Sequence, residues 1–228
     1  MQSTVDKLIP NQCLLCSVHS ETLICSICET ELSSFKLTHQ GANLSLRPDI
    51  AKALPKLQAY KLLAIGSHKW PLDYLISTLK YRDKPCYASA AAQLFYKNCI
   101  QHRTPETLPQ FIVAIPIHFF KLWLRGFNQS ARTAKFLGDI SEIPVLEGAV
   151  KKRKFTRPQV TKNATARRTL EPDLFSVSER LKELHHIAVF DDVITTGATV
   201  SALCRAIFKI NPNIRIEVWC LSISLPHQ

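Results

Sequence analysis

Residues 185–207 read HHIAVFDDVITTGATVSALCRAI. The run Ile187 to Phe190 is short, apolar and unbroken, as expected of a strand buried on both faces of a parallel sheet. It ends in two adjacent carboxylates, Asp191 and Asp192. A Thr/Gly loop follows (Thr195, Thr196, Gly197, Ala198), then a helix opening at about Thr199 with Val200, Leu203 and Ile207 turned inward. In open α/β sheets ligands bind beyond the carboxyl ends of the strands. The free N–H groups and positive dipole end of a helix start favour a phosphate dianion there. Gly197 lets the backbone come close to phosphate oxygens, and the hydroxyls of Thr195, Thr196 and Thr199 can donate further hydrogen bonds. Two carboxylates beside such a cradle would repel its ligand if they faced it, so they need another task. They can accept from ribose hydroxyls, or face hydrated Mg²⁺ through water. A lone DD or TTG would be an ordinary turn with Asp191 as a cap. The succession of strand, DD, TTGAT and helix is what points to a phosphate site.

The same alternation extends upstream. Trp70 to Tyr81 has Leu72, Leu75, Ile76 and Leu79 at helical spacing behind Pro71, and Ala88 to Ile100 reads as a second helix. Phe111 to Ile115, bounded by Pro109 and Pro116, reads as a buried strand; Ser130 to Leu137 as a helix; and Ile214 to Ile223 as a closing strand. Strand, helix and strand in that order make the βαβ unit, so the class is α/β with a largely parallel sheet flanked by helices. A chain of 228 residues suits one such domain with a small appendage. The expected division is a four-cysteine module with its linker over 1–45, and the α/β domain over 46–228. Polar and breaker residues between the two, His39, Gly41, Asn43 and Pro48, read as linker.

Eight cysteines are present, and their placement differs. Cys13, Cys16, Cys25 and Cys28 form two CxxC pairs, which can present four thiolates tetrahedrally to one Zn²⁺ and leave no position for substrate, so the site reads as structural. A redox CxxC is the alternative. Cys86, Cys99, Cys204 and Cys220 lack ligand spacing and read as buried small hydrophobes. The start, MQSTVDKLIPNQ, has no apolar core of signal length, and no run approaches the roughly 18 apolar residues of a membrane span. The expectation is a cytoplasmic protein without a membrane span, in which thiols stay reduced.

Hydrophobic residues make up 46% and charged residues 21%, which argues against global disorder. The formal net charge of +11 favours anionic partners such as nucleotides, phosphates, nucleic acid or a membrane surface. Much of it falls between Val150 and Arg168, where Lys151, Lys152, Arg153, Lys154, Arg157, Lys162, Arg167 and Arg168 stand with no acidic residue among them. Such a segment can close over a pyrophosphate leaving group, contact a nucleic-acid backbone, or simply be a solvated face.

VFDDVITTGAT resembles the signature of the type I phosphoribosyltransferase fold. LKYRDK, AIPIHFFKLWLRGFNQSARTAKFLG and TRPQVTKNATARR resemble, in order and spacing, the ComF family of bacterial phosphoribosyltransferase-like proteins, which includes GntX-type proteins and likewise begins with a four-cysteine zinc module. The resemblance implies a phosphoribosyl pyrophosphate site with Mg²⁺. Asp191 and Asp192 would address the ribose hydroxyls, and Thr195 to Thr199 would take the 5-phosphate. Ala114 to His118, including Ile117, would form the turn near the pyrophosphate. Arg125, Gly126, Phe127, Asn128 and Gln129 would stand beside the site, Lys80 and Tyr81 would match the family's LKY, and Gln159 and Arg168 its mobile loop. The chain departs from the family at RRTLEPDLF, where Thr169, Pro172 and Asp173 replace the usual pattern.

Two functions follow from the resemblance. One is transfer of a 5-phosphoribosyl group to a nitrogen nucleophile with release of pyrophosphate; the other is a non-catalytic sensor of phosphoribosyl pyrophosphate, or an adaptor associated with DNA. It implies an association with DNA uptake or use, with single-stranded DNA or a DNA-processing protein as partner. The cysteine segment itself holds few base-reading side chains, with His19 its only basic residue between Leu14 and Ile27, so docking or stabilisation suits it better than reading DNA.

Overall fold

The computed structural model describes residues 11–32, 35, 43–81, 84–117, 119–153 and 174–225. The cysteine segment carries a short helix, α1 (Ser26–Thr30), and α2 (Pro48–Ala53) and β1 (Lys61–Ser67) follow it. Helices α3 (Leu72–Tyr81) and α4 (Pro85–Phe95) come next, with α4 running on into a π-helical turn over Tyr96–Ile100. Then come β2 (Phe111–Ala114), α5 (Phe119–Arg125) and α6 (Gln129–Ser141). An antiparallel ribbon of β3 (Val150–Lys152) and β4 (Phe175–Val177) precedes β5 (His186–Ile194), α7 (Ala198–Ile210) and β6 (Arg215–Ile223).

The main sheet has the order β1-β6-β5-β2, and every pairing in it is parallel. The side-chain period of two along each strand sorts its residues into two apolar layers. Leu63, Ile65, Ala188, Phe190, Trp219 and Leu221 face one layer, with Leu75, Ile76 and Leu79 of α3, the alanines of α4 and Ala134 and Leu137 of α6. Leu62, Ala64, Ile187, Val189, Val218 and Cys220 face the other, with Ile50 of α2 and Val200, Leu203 and Ile207 of α7. Strands covered on both faces are the reason their sequences read as continuous apolar runs. The architecture agrees with the α/β, type I phosphoribosyltransferase-like class. Among the described residues, no helix is long and apolar enough to cross a membrane.

Several boundaries differ from the expectation. β5 does not stop at the acidic pair but continues through it to Ile194, because β6 goes on supplying a hydrogen-bonding edge as far as Ile223. Helix α4 starts at Pro85, whose fixed φ suits a first helical position, and α6 runs on to Ser141. β1 was not anticipated, although LLAIG is the same kind of apolar run as its neighbours. Two residues read as linker are ordered. Asn43 caps a 3₁₀ turn and its Oδ1 also accepts from Leu62 N–H at 2.9 Å, while Pro48 opens α2. Cys99, Cys204 and Cys220 are buried as expected; Cys86 is only half-buried.

Candidate functional site

β2 makes its last pairing between Ala114 and Phe190, so Asp191 and Asp192 lie just where the outer edge of β5 becomes free. Ile115 N–H still donates to Phe190 O at 2.9 Å, after which Pro116 and the half-buried Ile117 lead away. Asn128 ties this corner together. Its Nδ2 donates to Ile115 O at 2.9 Å, and its Oδ1 accepts from Ser130 N and Ala131 N at 3.1 and 3.4 Å, capping α6. The cap fixes the first turn of α6 against the end of β2 and lays Gln129 and Ser130, both buried, on the acidic pair.

Gln129 Nε2 donates to Asp192 Oδ2 at 3.3 Å, and Ser130 Oγ donates to Asp191 Oδ1 at 3.1 Å. From the other side, the last turn of α3 brings Lys80 Nζ to 3.3 Å from the same Asp192 oxygen. Arg125 Nη1 donates to Gln129 Oε1 at 3.3 Å, and its guanidinium lies 5.7 Å from the centre of the Tyr81 ring. Side chains from LKY, RGFNQ and the acidic pair, far apart in sequence, thus form one connected cluster.

Burial is the main reason the Asp191 carboxyl is pushed well above the usual aspartate range, and the neighbouring charge of Asp192 adds to it. The Asp192 N–H, 2.9 Å from Asp191 Oδ1, and the Ser130 hydroxyl oppose the shift without cancelling it. Asp191 therefore holds its proton more tightly than an ordinary aspartate, next to Asp192 with its partner Lys80.

The loop beyond is exposed at Thr195, Thr196, Ala198 and Thr199. Gly197 is the N-cap of α7 and has no side chain with which to occupy the first N–H groups of the helix; Thr196 Oγ1 accepts from Ala198 N at 3.4 Å. Gly197 itself sits at φ +70°, and an added Cβ would meet Leu54 Cδ2 at 3.0 Å. Backbone conformation and packing thus require glycine here whatever the ligand. His118, Gln159 and Arg168 lie outside the described residues, as does the basic segment from Lys154 onward; Lys151 and Lys152 are in β3.

The four sulfurs of Cys13, Cys16, Cys25 and Cys28 all lie within 4.8 Å of one another. Cys16 Sγ and Cys25 Sγ are 3.7 Å apart, close to the edge of about 3.8 Å that a tetrahedron of Zn–S bonds near 2.3 Å would have. Burial pulls the Cys13 thiol upward, yet N–H groups of the knuckle outweigh it and bring the thiol down to about 6, favouring the thiolate a metal needs. Leu15, Leu23, Ile24 and Leu32 of this segment share one apolar cluster with Ala90 and Leu94 of α4.

Sequence reasoning missed the role of Ser130 and the contact of Lys80 with Asp192. It also missed a second buried polar cluster around Glu217, whose one signal was an acidic residue inside the apolar run of β6.

No protein-family model matches the chain. It is 29% identical to competence protein F of Haemophilus influenzae over 206 residues, covering 87% of this chain and 90% of the relative. It is 26% identical over 232 residues to the DNA utilization protein YhgH of Salmonella typhimurium, covering 95% and 99%. It is 27% identical over 226 residues to YhgH of Escherichia coli K12, with the same coverage.

Proposed function

We propose that this chain, a homologue of competence protein F and of the YhgH DNA utilization proteins and so of the ComF type, binds phosphoribosyl pyrophosphate and acts in the uptake or use of DNA. The convergence of Lys80, Arg125, Asn128, Gln129 and Ser130 on Asp191 and Asp192 carries this reading. Carboxylates and hydroxyls held at the carboxyl end of a parallel strand suit the ribose diol, and the exposed threonine loop opening α7 suits the 5-phosphate. Mg²⁺ would accompany the pyrophosphate, whose oxygens are the hard ligands it prefers. Arg125 stands beside this cluster, where a cation would stabilise charge developing on a pyrophosphate leaving group.

The reaction that suits such a site is transfer of the 5-phosphoribosyl group to a nitrogen nucleophile. The four cysteines would hold a structural Zn²⁺, since four thiolates close its coordination shell. We place the protein in the cytoplasm, with single-stranded DNA or a DNA-processing protein as partner and a domain boundary near residue 45. Calorimetric titration with phosphoribosyl pyrophosphate and Mg²⁺ tests the binding, and absence of binding rejects it. A panel of nucleobases and amines, with pyrophosphate release as readout, decides the chemistry: turnover identifies an enzyme, and tight binding without turnover identifies a sensor.

A further inference from the structure

We propose that Lys80 is the built-in counter-cation of the Asp191–Asp192 pair, so that the ribose end of the site takes a ribose 5-phosphate without a divalent cation. This rests on the reading of the cluster as a phosphoribosyl site and goes beyond it by saying which cation serves the carboxylates.

Two adjacent carboxylates next to a phosphate cradle raise a problem of charge, and the cluster around them solves it. Lys80 Nζ lies 3.3 Å from Asp192 Oδ2, with side-chain exposures of only 26% and 11% for the two residues. At that distance and with so little water between, the attraction is far stronger than for a surface pair. Gln129 Nε2 donates to the same oxygen at 3.3 Å. Its amide orientation is set by Arg125, which donates to Oε1 at the other end. A Mg²⁺ ion bound directly to Asp192 Oδ2 would therefore have to displace an ammonium and an amide, and Mg²⁺ gives up its own water reluctantly.

The position of Lys80 is favoured before any ligand arrives. It stands in the last turn of α3, where the negative end of the helix dipole stabilises a cation. Asp191 is satisfied differently, through Ser130 Oγ at 3.1 Å and the Asp192 N–H at 2.9 Å, both on Oδ1. With Lys80 beside Asp192 and Arg125 behind Gln129, the cluster sets two cations against its two aspartates. It can then accept and donate hydrogen bonds to a sugar diol without repelling the phosphate dianion. Mg²⁺ is left to the pyrophosphate group, which ribose 5-phosphate lacks.

Calorimetric titration of the full chain with ribose 5-phosphate, once in EDTA and once in Mg²⁺, tests this. The expected result is the same affinity within about twofold in both buffers, since no metal bridge forms. Lys80→Met should lose about tenfold or more in EDTA and recover part of that in Mg²⁺, while Lys80→Arg should stay within a few-fold of the parent. Circular dichroism checks that the variants fold; if Lys80→Met does not, Lys80→Gln takes its place. A parent that binds ribose 5-phosphate only with Mg²⁺, or a Lys80→Met variant that binds as well as the parent in EDTA, overturns the role of Lys80 and leaves the phosphoribosyl site standing. A parent that binds neither ribose 5-phosphate nor phosphoribosyl pyrophosphate in either buffer overturns the site itself.

Discussion

Neighbouring strands of the same sheet bury carboxylates near opposite ends, and the two places treat them in opposite ways. Near the amino end of β6, Glu217 is fully buried and meets four donors. Arg103 gives a bidentate pair at 2.8 and 2.7 Å, Trp219 Nε1 donates at 2.7 Å, and His186 Nε2 lies 3.2 Å away. Burial alone would push this carboxyl up, yet the His186 and Arg103 contacts bring it down to about 2. Towards the carboxyl end of β5, Asp191 and Asp192 stand side by side with one ammonium paired to Asp192, and Asp191 is pushed up. One cluster surrounds its carboxylate with donors, although Arg103 Nε is buried without a hydrogen-bond partner among the described residues. The other holds an excess of acceptors at the end of the sheet where ligands bind, a local conflict of the sort found at functional sites.

The strongest way to break this comparison is to remove one cation from each cluster. Arg103→Ala leaves Glu217 charged, buried and without its bidentate partner, and should cost about 3–5 kcal/mol of stability. Lys80→Met acts at a pair whose lysine keeps some contact with water, and should cost less, about 1–2 kcal/mol. Urea unfolding of the two variants measures both. Equal losses would mean that the acidic pair is as much a structural element as Glu217.

Acid titration sharpens the contrast, because the two clusters contribute with opposite sign. The folded pKa of Glu217 is depressed from its ordinary 4.5 to about 2, so its contribution is fully present above pH 4.5 and is lost as pH falls towards 2. The loss should be on the order of 3 kcal/mol. The folded pKa of Asp191 is raised from its ordinary 3.8, so its ionisation destabilises the fold as pH rises through the folded value, and acidification back towards 3.8 restores stability. Urea midpoints against pH, taken as differences from the parent, should show the acid loss flattened in Glu217→Gln and the acid gain removed in Asp191→Asn. The same slope in both variants would refute the opposition.

Binding separates the clusters from the other direction. Asp191→Asn with Asp192→Asn should weaken phosphoribosyl pyrophosphate by about ten- to a hundredfold, as expected for losing a charge-assisted hydrogen bond of roughly 1.5–3 kcal/mol. Stability should hold within about 1 kcal/mol, because relief of the burial cost at Asp191 offsets the loss of the Lys80–Asp192 pair. Calorimetry and urea unfolding on one sample show whether function and stability move apart. If both fall together, the pair supports the fold and the comparison loses its meaning.

How much of this was legible in the sequence depended on whether a feature is local. The buried strands of β2, β5 and β6 show as apolar runs because both faces of the sheet are covered, and the acidic pair with its threonine loop shows because strand, loop and helix are contiguous. The contacts of Lys80, Arg125 and Ser130 with the pair join α3, α5, α6 and β5, and no spacing rule within one segment places them. The resemblance gathered Lys80, Arg125 and Gln129 near the site without saying what each touches. Glu217 was hidden for the same reason, since Arg103 and His186 reach it from distant segments. Gly197 was legible as a necessary glycine, but the visible cause, φ +70° with Leu54 close by, is a demand of the fold rather than of a ligand.

Gly197 is for that reason a poor place to test the phosphate loop, because any side chain there strains the backbone before a ligand is considered. Thr199 is the cleaner probe and carries the smallest expected effect. It is exposed, in the first turn of α7, so Thr199→Val removes one hydroxyl while keeping the shape and should leave urea stability within about 0.5 kcal/mol of the parent. If its hydroxyl donates to the 5-phosphate, affinity for ribose 5-phosphate should fall by about three- to tenfold, the size of one ordinary hydrogen bond. The deciding measurement is the same titration with ribose, which has the diol but no phosphate. Thr199→Val should leave any ribose binding unchanged, whereas Asp192→Asn should weaken it. An equal loss for both ligands would move Thr199 out of the phosphate contact, and no loss for either would separate the threonine loop from the acidic pair that precedes it.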